Sequence, residues 1–173
     1  FTKKYFSYVW NQFIKNTKSS SKTGVVYRND NIVLLQPFDS VRLKTPEIEF
    51  AWTSDSLKNY FLLKDTDTNH ITKLGVSGKR LTLFVDNQLL KRGKTYQWAI
   101  AQKRFPDLDR LDFYNFTLLT KDEFNTLKPE IDTFKTDLEA LGFSADEIKL
   151  MLCRDYKICY YPLLNTLQIL IVN

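Results

Sequence analysis

The sequence predicts an α+β chain that is mainly β: a seven-stranded antiparallel sandwich, with an amphipathic helix before it and a helical hairpin after it. Three observations carry this. Between Val25 and Thr120 short β-like runs recur, each closed by turn residues, and no helical period crosses them. On either side of that stretch the apolar residues return at helical spacing. The chain also holds 13 Phe, 9 Tyr and 3 Trp, and such rings suit a sandwich core, where each buries a large apolar area.

In residues 1–16, Tyr5, Phe6, Val9, Trp10, Phe13 and Ile14 fall on one helical stripe, with Lys3, Lys4 and Lys15 nearby. The stripe is read first as packing on its own domain. Its second reading is a segment near a membrane, aromatics and lysines at the headgroup level. Lys18-Ser19-Ser20-Ser21-Lys22-Thr23-Gly24 is small and polar, a linker composition. The expected division is therefore 1–24 for helix and linker, 25–120 for the sandwich and 121–173 for the helical segment.

The strands are read in order. Ile32-Val33-Leu34-Leu35 ends at Pro37, and Glu47 to Trp52 alternates strictly, which places Ile48, Phe50 and Trp52 on one face. Tyr60 to Leu63 and the weaker run Ile71 to Val76 follow, then Leu81 to Val85. Thr95 to Ala101 sets Tyr96, Trp98 and Ile100 on one face, and Phe113 to Leu119 completes the set.

Helical signals then return. Thr120-Lys121-Asp122-Glu123 and Ser144-Ala145-Asp146-Glu147 have the form of capping boxes. Phe124, Leu127, Ile131, Phe134, Leu138 and Leu141 make one apolar stripe, in which Pro129 predicts a kink or a fresh start and Gly142 a stop. The second helix is expected to run to about Tyr160, with Pro162 opening a last one. The apolar end, Leu163, Leu164, Leu167 and Leu170 within it, is more surface than two helices can hide, and it is the candidate association surface.

Pro46 to Trp52 resembles the second strand of the fibronectin type III family, where an inward Trp anchors the core. Leu90-Lys91-Arg92-Gly93-Lys94-Thr95-Tyr96-Gln97-Trp98-Ala99-Ile100 resembles the family's Leu-x-Pro-Gly-x-x-Tyr turn into its sixth strand, with Arg92 where the family has Pro. The resemblance covers residues of about 30–120 and implies Trp52, Leu90, Gly93, Tyr96 and Trp98 as core positions, Tyr96 being the corner tyrosine. The run Phe113 to Thr120, passing straight into a helix start, is similar to bacterial envelope proteins in which such a sandwich precedes a helical region. That likeness implies a periplasmic or extracellular protein, either secreted or anchored by a segment upstream of Phe1.

Composition bounds the chemistry. Hydrophobic residues are 43% and charged residues 26%, ordinary for a globular chain, and the net charge of +5 is scattered rather than clustered, which disfavours nucleic acid. No stretch is long and apolar enough to cross a bilayer. Cys153 and Cys159 lack the companions of a zinc site; on one unbroken helix they stand about 9 Å apart along the axis, so buried free thiols are expected. His70 sits in the polar turn after Asp65-Thr66-Asp67-Thr68-Asn69, with no nucleophile motif pointing to it, and the turn lacks the Gly and bidentate Glu of a calcium loop. Asp107, Asp109 and Asp112 form an acidic loop before the last strand. The expectation is a non-catalytic binding or scaffolding module, without cofactor, metal or small-molecule substrate, that associates with a protein partner or with itself. Its rivals are a carbohydrate-binding sandwich, using Trp10, Tyr60 or Tyr114, and a hydrolase built on the acidic loop.

Overall fold

The computed structural model describes residues 32–160. The expected N-terminal helix and linker, and the run holding Leu163, Leu164, Leu167 and Leu170, lie outside the described residues.

The described chain is α+β and mainly β, with two sheets followed by two helices. The strands are β1 (Val33–Gln36), β2 (Val41–Leu43), β3 (Glu47–Thr53), β4 (Lys58–Asp65), β5 (Ile71–Ser77), β6 (Arg80–Phe84), β7 (Lys94–Ala101), β8 (Tyr114–Leu118) and β9 (Ile158–Cys159). One sheet has the order β1-β3-β6 and the other β5-β4-β7-β8-β2-β9. All seven expected strands are present, but the described residues hold nine, and β2 pairs in parallel with both β8 and β9. Val41-Arg42-Leu43 is too short for a period to show in the sequence, yet its buried-intermediate-buried pattern is that of a strand.

Alternation sets the core. Ile48, Phe50 and Trp52 of β3 meet Phe61 and Leu63 of β4, Tyr96, Trp98 and Ile100 of β7, and Phe116 and Leu118 of β8, so the two sheets face each other as a sandwich. Phe50 lies at its centre, edge-on to Phe61 at 4.7 Å, Trp98 at 5.2 Å and Phe116 at 5.7 Å between ring centroids. Such pairs each add about 0.5–1.5 kcal/mol beyond the area they bury.

Helix α1 (Lys121–Ala140) starts at Thr120, whose side chain accepts from Glu123 N while Glu123 returns a carboxylate to the Thr120 N–H. Helix α2 (Ala145–Arg154) repeats the device with Ser144 and Glu147. Pro129 neither ends nor restarts α1: its missing N–H removes one helical bond, and the turns on both sides keep theirs, with Ile131 and Leu138 buried beyond it. Gly142, at φ 88°, closes α1; its N–H donates to Glu139 O and that of Phe143 to Leu138 O. Ile131, Leu138, Ile148, Leu152 and Ile158 form a second apolar cluster between the helices and β9.

The cysteine expectation is overturned. Helix α2 stops at Arg154 instead of running on to about Tyr160, and Lys157, at φ 57°, turns the chain back into β9. Cys159 is thereby brought to Cys153, Cα to Cα 4.5 Å, and the two are joined in a disulfide. Rise along a continuous helix would have kept them apart; the turn removes that rise.

Candidate functional site

Three features at the margins of the core bring polar or exposed groups together. The first is the β6–β7 connection. Leu90 is fully buried there, and Gly93 takes φ 78° so that its N–H reaches Leu118 O. The Tyr96 hydroxyl accepts from Lys91 N at 2.9 Å, and Asn87 Oδ1 accepts from the Leu89 and Leu90 amides. Arg92, set where the resembling family has proline, donates to Asp86 at 3.0 Å and to the Thr45 carbonyl at 3.0 Å. It thus stitches the β2–β3 turn to the sandwich's end, a role its sequence position alone does not signal. The same guanidinium, together with burial, lowers the neighbouring Lys44 ammonium from its ordinary value, burial being the larger cause. Trp52 and Trp98 are buried in the core with Leu90 and Tyr96, whereas Gly93, also expected as a core position, is exposed: it serves the turn through its backbone conformation and not through burial.

The second feature is the β4–β5 turn. Asp65 accepts from the amides of Asp67 (2.9 Å) and Thr68 (3.2 Å) and from Lys94 Nζ at 2.8 Å; the Lys94 bond is the main reason its carboxyl lies below the usual range. Lys94 is raised in turn, chiefly by the same bond. Asp65, His70, Thr72, Gln88, Leu89 and Tyr96 border a concavity of about 360 Å³. The Asp65 carboxylate already holds its own turn and Lys94, so it is not set up as a cation ligand. His70 is exposed at the rim. Among the described residues no group of three or more His, Cys, Asp or Glu is arranged to hold a metal ion.

The third feature is the β7–β8 loop. Asp107 caps the short 3₁₀ turn Leu108–Arg110 and pairs with Arg110 at 3.1 Å, which uses the first carboxylate of the acidic loop structurally. Earlier in the loop Phe105 stands 80% exposed. Lys73 Nζ lies 4.4 Å from its ring centroid, and the Arg104 guanidinium carbon 5.5 Å from it. Lys73 also donates to the Arg104 carbonyl, which leans the loop toward β5. Phe105 belongs to none of the strand runs or motifs of the sequence. The signal available was its setting, Lys103-Arg104-Phe105-Pro106.

Of the aromatics considered for a sugar platform, Tyr114 packs edge-on against Trp98 at 6.1 Å, Tyr60 is half-buried beside Gly75, and Trp10 lies outside the described residues.

No protein-family model matches the chain, and no curated protein matches it. Among solved structures it is similar to an FN3 domain of human collagen XX, at 18% identity and a TM-score of 0.28, over 41% of this chain and 69% of that one.

Proposed function

We propose that this chain is a non-catalytic binding module, its sandwich of fibronectin type III kind, in the exported or membrane-anchored part of a bacterial protein, and that it takes hold of a protein partner through the β7–β8 loop. The observation that carries the reading is Phe105: a large ring held in solvent, with cations at its faces. Leaving a ring exposed forgoes its burial energy, and aromatic residues that a partner can desolvate dominate binding energetics at interfaces. Lys73, Lys103 and Arg104 around it favour a partner segment that carries carboxylates beside an apolar residue.

The fibronectin type III assignment is supported by the strand order of the two sheets and by the Tyr96 hydroxyl closing back on Lys91. Export is supported by the Cys153–Cys159 disulfide, since such bonds persist in oxidising compartments and are rare in a reducing cytosol. Leu163, Leu164, Leu167 and Leu170 remain a second candidate contact, on their sequence alone.

The test is selection of a random peptide library on the immobilised chain, followed by affinity measurement with Phe105→Ala. The reading expects enriched peptides pairing acidic with apolar residues, weakened about 30-fold or more by the truncation. Peptides that bind equally well to Phe105→Ala, or no enrichment at all, would sink it.

A further inference from the structure

Among the described residues the six-stranded sheet ends in β5, which pairs there with β4 alone. Which of its backbone groups face outward follows from the bonds at its two ends. The His70 carbonyl accepts from Asp65 N, and Gly78 N donates to Leu57 O, both toward the β4 side. In an antiparallel ladder alternate residues direct both groups to the same neighbour. Thr72, Leu74 and Val76 therefore bond β4, and Ile71, Lys73, Gly75 and Ser77 turn their N–H and C=O groups to the open edge.

Sheet edges are normally guarded by short length, bulges, proline or charge. Among the other edges, β1 has four residues and a register shift between Leu34 and Gln36, β9 has two residues, and β6 has five and begins at Arg80, which is paired with Glu49. β5 has seven residues, no proline and an unbroken register with β4 from Lys58↔Ser77 to Lys64↔Ile71. Its one charged residue, Lys73, is drawn back to the Arg104 carbonyl and the Phe105 ring, over its own sheet.

We infer that β5 pairs with β5 of a second copy of this chain, antiparallel and about a two-fold axis at Leu74. The occupant and the register follow from charge and size. Pairing centred on Leu74 sets Lys73 against Gly75 of the other copy, Ile71 against Ser77 and Thr72 against Val76, so no charge meets its like. Centring one residue earlier would oppose the two Lys73 ammonium groups, which is unfavourable directly across a ladder. In the Leu74 register all four outward residues of each copy are hydrogen-bonded, about eight bonds in total. Leu74 and Val76, which pack on the core from its margin and are only partly buried, would be covered where the two sandwiches meet. This interface is independent of a partner at Phe105, although Lys73 adjoins both.

The first experiment needs no variant: amide exchange of the full chain at rising concentration, with sedimentation alongside. The amides of Ile71, Lys73, Gly75 and Ser77 are expected to exchange freely when dilute and to gain protection as a dimer forms, while those of Thr72, Leu74 and Val76 are protected throughout. The second uses Gly75, where an added Cβ meets only Tyr60 Cε1 at 3.9 Å, so side chains fit the monomer. Gly75→Lys faces Lys73 of the other copy twice and should weaken the dimer about 2- to 30-fold, whereas Gly75→Asp should hold or tighten it. A monomer up to about 1 mM overturns the inference. So does a dimer in which the four outward amides gain no protection, or one that Gly75→Lys and Gly75→Asp leave equally strong. Loss of peptide binding in Phe105→Ala with the dimer intact separates this interface from the loop's.

Discussion

The most informative single perturbation is removal of the Cys153–Cys159 bond. It closes a short loop, sequence separation 6, and chain entropy alone assigns such a closure about 2 kcal/mol. Both cysteines are buried in the sandwich core, and β9 depends on the loop they close. The Arg42 amide donates to Lys157 O at 2.7 Å and the Lys44 amide to Cys159 O at 2.8 Å, so β2 loses its outer neighbour if β9 lifts away. At about 2–4 °C per kcal/mol for a chain of this size, Cys153→Ala/Cys159→Ala should melt about 4–8 °C below the wild type from the loop term alone. The assay is calorimetry on both proteins, with amide exchange at Arg42 and Lys44. Exchange at those two amides should accelerate more than in β7, because β9 opens locally before the sandwich does. A melting change under about 1 °C with unaltered exchange would refute the view that this bond holds the C-terminal strand in place.

Other outcomes follow from the same structure. Leu90→Ala should cost about 2–5 kcal/mol, since the side chain is fully enclosed, and Tyr96→Phe about 0.5–1.5 kcal/mol through loss of the bond from Lys91 N; denaturant titration checks both. His70→Ala should leave the melting temperature and any binding unchanged, because the residue is exposed at the rim of its turn; loss of either on substitution contradicts that. Glu123 and Glu147 are held below the ordinary glutamate range by their capping bonds to Thr120 and Ser144. A carboxyl depressed in the folded state stabilises above its unfolded pKa and loses that contribution as the pH falls through its folded value. Melts taken from neutral pH down into the acid range should therefore fall less steeply in Glu123→Gln, which keeps an acceptor but does not titrate, and an identical pH slope would count against the cap's role.

Much of the fold is legible in the sequence because its strands are half-buried and amphipathic. β3 and β7 alternate cleanly, so Ile48, Phe50, Trp52, Tyr96, Trp98 and Ile100 announce one face each. The helix starts are legible for a local reason: the capping box needs only residues three apart. What could not be read depends on partners distant in sequence or on weak punctuation. Three residues of β2 carry no period, and their strand character comes from β8 and β9. The turn before β9 is made at Lys157 with a positive φ, where no glycine or proline marks the end of α2. The Asp65–Lys94 pair spans 29 residues and exists because the register of β4 and β7 brings their ends together. Phe105 is exposed because of where the β7–β8 loop leans, and in the sequence only its basic setting, Lys103-Arg104-Phe105-Pro106, signals it.

Strand β9 carries more of the architecture than its two residues suggest, because successive strand side chains point to opposite sides. Ile158 joins the helical cluster with Ile131, Leu138, Ile148 and Leu152, while Cys159 joins the sandwich core and is bonded there to Cys153 of α2. One short strand therefore touches both apolar clusters, and its backbone extends the larger sheet past β2. This bears on how association must be tested. Cutting the chain after Thr120 would remove the outer neighbour of β2, leave the Arg42 and Lys44 amides without their acceptors and open the core beside Leu43. A shortened protein would then expose β2 as a new edge and could associate through it, whatever the intact chain does. Point changes at Gly75 and Phe105 leave β9 and its disulfide in place, and they are the changes that can separate a real contact surface from one created by truncation.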